Sequence, residues 1–225
     1  MKNDKFKVKD ILIGKYSQFF GKIKIEKGVK IGHHCIIGFS SKDKDSSFEY
    51  TNHDTNDVTF IGQDTVVNSF SVIFRGAKIG KNVEIHEFSR IGYSTRIGDR
   101  TKIVYGAKIY DDVIIGERCI IAGFCCNGSK IGNNTTMMGH LIHKYKKHAI
   151  DIWDSDEEES PPIVENNVIV GYNSLIIGGV TIGKNSYIAA GSIICDDIPP
   201  NKKVMMLRKL KSCRRRILCK KQKDY

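Results

Sequence analysis

The sequence predicts an all-β chain wound as a three-sided parallel coil, and three observations predict it. An aliphatic residue recurs every six positions, a compact residue follows each one at a fixed distance, and Gly or Asn punctuates the interval. From Ile61 the run reads Ile61, Val67, Ile73, Ile79, Ile85, Ile91, Ile97, Ile103, Ile109, Ile115 and Ile121 without a miss. A period of six fits neither the 3.6 of a helix nor the simple alternation of a long strand. It fits a short strand plus a turn, repeated. The aliphatic side chain then points inward from each strand, and three strands close one turn of a triangular coil. Successive turns stack about 4.8 Å apart through parallel pairing.

The elements follow in order. Ile13, Phe19, Ile25, Ile31 and Ile37 start five hexads, and the eleven from Ile61 come next. Ile131 and Met137 start two more after a spacing of ten residues, and Val164, Val170, Ile176, Ile182, Ile188 and Ile194 start six. Twenty-four hexads make about eight coils. Four residues after each of the eleven from Ile61 comes a compact side chain, such as Thr65, Ser71, Ala77, Thr101 or Cys125, which suits a tight corner. Gly and Asn supply turn conformations that other residues resist. Two polar segments interrupt the stack, residues 39–57 and 144–162, and both read as loops thrown out of a coil spanning residues 1–200. Long loops on a rigid scaffold commonly carry function. In the tail, residues 201–225, Val204, Leu207, Leu210, Cys213 and Ile217 recur at helical spacing and leave a basic outer face.

Charge and cysteine usage narrow the classes. The net charge of +11 looks like a nucleic-acid signal until it is located. Between Lys202 and Tyr225 stand eleven Lys or Arg and one acid, Asp224, so the body of the chain is close to neutral. Nucleic acid and membrane are therefore not expected partners of the coil, although Arg214-Arg215-Arg216 offers both a local cationic patch. No apolar run approaches the roughly 18 residues of a membrane span, and MKNDKFKVKD has no signal-like apolar stretch. Seven cysteines without a CxxC pair suit reduced thiols, and hence a cytoplasmic location.

The stretch VENNVIVGYNSLIIGGVTIGKNSYIAAGSIICDDIPPN, from Val164 to Asn201, resembles the C-terminal half of the hexapeptide-repeat acyltransferases, of the sugar O-acetyltransferase and nucleotide-sugar N-acetyltransferase kind. The repeat resemblance extends over residues 13–200. It implies a left-handed parallel β-helix, a homotrimer, and acetyl-coenzyme A held in a groove between neighbouring subunits. A repeat is specific for a fold and not for a chemistry. Gly139-His140-Leu141-Ile142-His143 is the sharper match. It resembles the Gly-His-Pro-Val-His run of galactoside acetyltransferases, whose first His is the catalytic base. Carried over, that base is His140, with Leu141 standing where the family has Pro and His143 as its competitor.

Transfer from a thioester needs an acceptor that has lost its proton. Imidazole, with a reference pKa of ~6.5, accepts one near neutral pH, and no metal is needed. The same resemblance places Tyr172, Ala190 and Cys195 against the coenzyme, and offers its phosphates Lys202, Arg208 and Lys211. The expected acceptor is a sugar hydroxyl or amine, possibly on a nucleotide-linked amino sugar. Two alternatives stand beside this one. The γ-class carbonic anhydrases resemble this fold and bind zinc through His residues, for which His86, His143 and His148 are available. A non-catalytic trimeric scaffold is the other.

Overall fold

A computed structural model describes residues 6–8, 10–40, 57–144 and 160–205. These wind into a three-sided solenoid of strands two to four residues long, apart from the antiparallel entry strand Phe6–Val8. Its three parallel faces are a first sheet of 11 strands, a second of nine and a third of eight. The chain visits them in rotation. Ile103 lies in the first sheet, Ile109 in the second and Ile115 in the third, and Ile121 returns to the first. Each inward residue pairs with its equivalent one turn later, as Ile85 with Ile103 and Ile91 with Ile109. The arrangement is consistent with the left-handed β-helix that the resemblance implies.

The repeat explains the core. Ile61, Ile73, Ile79, Ile85, Ile91, Ile103, Ile109 and Ile121 are fully buried, forming one aliphatic column along the axis. The compact residues are buried too, and many are hydroxyls with a defined task. Thr101 Oγ1 donates to the Gly116 carbonyl at 2.9 Å and accepts the Cys119 N–H at 3.1 Å. Thr65 and Thr135 do the same for their own turns. The hydroxyls thus satisfy corner amides and carbonyls that the strand ladders do not reach.

The edge between the third and first sheets needs left-handed backbone, and Asn supplies it. Asn134, Asn167, Asn185 and Asn201 have φ of 55–62° and join side chain to side chain at 3.2, 3.1 and 3.0 Å. Asn tolerates this conformation because its short amide bonds locally.

Four expectations are corrected. The solenoid has about nine turns and not about eight, because Cys125, Leu141, Ile198 and Val204 also occupy inward positions. Cys125 is therefore no corner residue: its strand Phe124–Cys125 pairs with Lys108–Ile109, at a step of only four positions from Ile121. The coil also runs past residue 200. Lys203–Val204 forms a strand on Tyr187–Ile188, so Val204 belongs to the solenoid and not to a basic helix. The remainder of that tail, 206–225, lies outside the described residues, as do 41–56 and 145–159 of the two expected loops. Phe39, placed at the start of the first loop, closes the strand Ile36–Phe39.

Candidate active site

The second sheet presents a row of outward side chains, one per turn. In register these are Arg90, Lys108, Phe124, His140, Leu175 and Ile193. His140 opens the strand His140–Ile142, whose middle residue Leu141 is fully buried. Strand alternation therefore turns His140 to the outer face. Its N–H donates to the Ser174 carbonyl at 2.8 Å, fixing the backbone beneath the ring.

The edge leading into this strand is cut short. Six residues normally separate inward positions, but Ile121 to Cys125 and Met137 to Leu141 are four apart. Each loses two residues at the same edge, between the first and second sheets, in consecutive turns. Gly123 and Gly139 sit at the two shortened corners. Gly123 has φ 81°, and a Cβ added to it would collide with the Gly139 carbonyl and lie 3.2 Å from His140 Nδ1. A side chain there would displace the imidazole, so glycine is required both by conformation and by space. Above and below this cut, the same edge carries exposed tyrosines, Tyr172 at 62 % and Tyr105 at 65 %.

Tyr172 and Ala190 stand in successive turns of that edge. The Gly191 N–H donates to the Tyr172 carbonyl at 2.9 Å, and Asn173 N–H to the Met138 carbonyl at 3.3 Å. Tyr172 and Ala190 thus stand one and two turns above the shortened corner that leads into His140. His143 lies past the end of the same strand, on the opposite edge of the second sheet, half-buried with its Nδ1 enclosed. Cys195 is exposed on that opposite edge, after Ile194. Lys202 does not join them: its N–H bonds Ser186 Oγ at 3.2 Å on the edge between the third and first sheets. Arg208 and Lys211 lie outside the described residues.

Of the residues of the metal alternative, the two described ones, His86 and His143, stand on different edges of the coil. His86 sits on the first edge, 3.5 Å from Glu84, while His143 is on the other, and His148 is outside the described residues. Among the described residues no group of three His, Cys, Asp or Glu is placed to hold a metal ion.

Sequence reasoning passed over Phe124, Lys108 and Gly123. The signal that locates Gly123 was visible as the irregular ten-residue step from Ile121 to Ile131, which is one short interval of four and one regular interval of six.

A solenoid of hexapeptide turns with a histidine on its outer face defines the class, and comparison with known proteins agrees. Residues 161–196 match the family model described as bacterial transferase hexapeptide (six repeats). Those residues carry the repeat that this model describes. It is 30% identical over 172 residues to the bifunctional protein GlmU of Caldicellulosiruptor saccharolyticus, covering 76% of this chain and 28% of that protein. The Thermotoga maritima protein of the same name is 30% identical over 165 residues, covering 62% of this chain and 37% of its own length. The chain thus spans well under half of the curated relatives it matches. Among solved structures, the UDP-N-acetylglucosamine acyltransferase from Campylobacter jejuni aligns with 18% identity and a TM-score of 0.45, over 86% of this chain and 68% of that one.

Proposed function

We propose that the chain transfers an acyl group, acetyl in the simplest case, from acyl-coenzyme A to a hydroxyl or amine of a sugar, with His140 as general base. The carrying observation is the placement of His140, outward on the second sheet at an edge that two successive turns have cut back. The match to a transferase repeat model supports the same reading.

The chemistry follows from that placement. The acceptor O–H or N–H attacks the thioester carbonyl while the imidazole takes its proton. The tetrahedral adduct collapses by breaking the C–S bond. The coenzyme sulfur leaves as thiolate and recovers the proton from the imidazolium. No covalent acyl-enzyme is involved. The exposed edge of Tyr172, Ala190 and Gly191 offers the pantetheine arm a run of backbone with little side-chain obstruction, because Ala190 and Gly191 are small and nothing stands within 4 Å of where a Gly191 side chain would be. Cys195, on the far edge of the same sheet, is the further coenzyme contact of this reading. A trimer would bring a second prism against this face and close the groove, in a cytoplasmic setting.

The test is a pair of substitutions. With acetyl-coenzyme A and the true acceptor, His140→Ala should lower kcat by about 10²–10⁴ while leaving coenzyme binding intact. His143→Ala should cost much less. Wild-type rates for His140→Ala across pH 6–9 would remove histidine base catalysis at this position.

A further inference from the structure

The outward row of the first sheet changes character partway along the axis. Its N-terminal part carries Lys30, Glu84 and Lys102, the last two paired with Lys102 Nζ 2.8 Å from Glu84 Oε2. Then come Ile120, Thr136, Ile169 and Tyr187, one per turn, before Lys203. This stretch holds no charge, and the residues just past its inward partners, Ala122, Met138, Gly171 and Ala189, hold none either. Ile120, Ile169 and Tyr187 are 41, 46 and 40 % exposed. Single apolar side chains on a surface need no explanation, but a contiguous uncharged face of four turns does. On the third sheet, by contrast, Lys130 stands between the exposed Ile114 and Ile163.

The chain leaves the coil at the head of this face. Lys203–Val204 is the last strand of the first sheet, and Met205 beyond it is exposed. Residues 206–217, outside the described residues, have the sequence MLRKLKSCRRRI. Met206, Leu210, Cys213 and Ile217 follow one another at steps of four, three and four, and Lys or Arg fills most of the positions between. On a helix that spacing makes one apolar stripe with a basic reverse side.

We infer that this segment turns back as a helix and lies along the first sheet of its own chain, its apolar stripe covering Tyr187, Ile169 and Ile120 and its basic side facing water. The dimensions agree. A helix advances about 1.5 Å per residue, so Met206 to Ile217 spans about 17 Å. Strands of the coil lie about 4.8 Å apart, so Ile120, four turns below Lys203, is about 19 Å away. With Met206 level with Lys203, Leu210 comes about 6 Å down, beside Tyr187, and Cys213 about 10 Å down, beside Ile169. Ile217 then reaches the interval between Thr136 and Ile120. Charge sets which side turns inward. A face without acids offers the lysines and arginines no partner, so only the apolar stripe is buried there and the basic side keeps its water. The inference is independent of acyl transfer, whose groove lies on the second sheet.

The experiment uses the full chain and brief trypsin digestion, since the segment holds six Lys or Arg. Cleavage within residues 206–217 should be slow in the wild type. Ile169→Glu and Leu210→Glu should each speed it about tenfold, because cleavage follows the population of the undocked segment and a carboxylate opposes burial in the contact. Ile114→Glu, on the third sheet at 42 % exposure, should leave it unchanged. Far-UV circular dichroism checks that each variant keeps the coil. A second variant, Ile169→Cys, tests the register without adding charge. Diamide should join the new thiol to Cys213 within one chain, the two thiols passing their hydrogens to the diamide as the disulfide forms. Ile114→Cys should not be joined. Peptide mapping identifies the bond, and a non-reducing gel shows whether it lies within or between chains. The inference is overturned if wild-type cleavage is as fast as that of Leu210→Glu, or if Ile169→Glu has no effect. It is overturned equally if Ile169→Cys joins Cys213 of another chain or is not joined at all. Protection that appears only when phosphatidylserine vesicles are added would also overturn it, by making the stripe a membrane contact.

Discussion

Replacing Thr101 by Val keeps the shape of the side chain and removes one oxygen. In an ordinary aliphatic core that exchange would be neutral or favourable. Here the oxygen joins two turns. It donates to the Gly116 carbonyl at 2.9 Å and accepts the Cys119 N–H at 3.1 Å, with Thr101 and Cys119 each 1% exposed. Valine leaves the Cys119 amide without an acceptor in a place water does not reach, which costs about 1–3 kcal/mol. Gly116 is only partly buried, so its carbonyl can regain part of its loss from solvent. The sum is about 2–4 kcal/mol. Thr101→Ser retains both hydrogen bonds and gives up a methyl, about 0.8 kcal/mol. The expected order of stability is therefore Thr, then Ser, then Val, the reverse of hydrophobicity for the last two. Urea titrations followed by far-UV circular dichroism give the midpoints, compared at equal slope because a solenoid need not unfold in one step. Hydrogen exchange at the Cys119 amide gives the local answer. A Val variant within ~0.5 kcal/mol of wild type, or more stable than Ser, would refute the reasoning.

Two further outcomes follow from burial. Desolvation raises the thiols of Cys35, Cys119 and Cys126 and pushes Cys125 up to about 12, so none presents thiolate at pH 8. Cys195 is exposed, and peptide mapping after brief iodoacetamide treatment should find it carbamidomethylated and the four buried ones unmodified; rapid labelling of Cys125 in folded protein would contradict its inward position. Ile97 is 3% exposed and stacked between Ile79 and Ile115, so Ile97→Asp buries a carboxylate with aliphatic neighbours above and below, at a cost of several kcal/mol. Little soluble protein should result, and a normally expressed, normally melting variant would place the register elsewhere.

The regular turns were legible because each hexad repeats one demand. A buried aliphatic, a corner side chain small enough to fit and a residue tolerant of positive φ are needed at every turn, so composition and spacing state the fold many times over. The departures from regularity are stated once each and are harder to read. Cys125 resembles the compact corner residues Cys119 and Thr101 in size, and only its pairing with Ile109 and Leu141 reveals an inward strand position. Val204 fits a helical spacing with Leu207 and Leu210 as well as it fits a six-residue step from Ile198. Local period cannot choose between these, whereas the open upper edge of Tyr187–Ile188 can: an unpaired strand end gains a ladder when the chain folds back onto it. The same asymmetry governs the site. His140 was legible as a residue type beside a charged segment, but its outward direction depends on Leu141 being inward, and that depends on the shortened corner at Gly139. A two-residue deletion in one turn would leave an isolated defect in the edge. Two in consecutive turns, with Gly123 at the lower corner leaving the space that the imidazole of the upper turn occupies, make a seat for a side chain. The irregularity of the repeat therefore positions His140, and the regular turns above and below frame that seat.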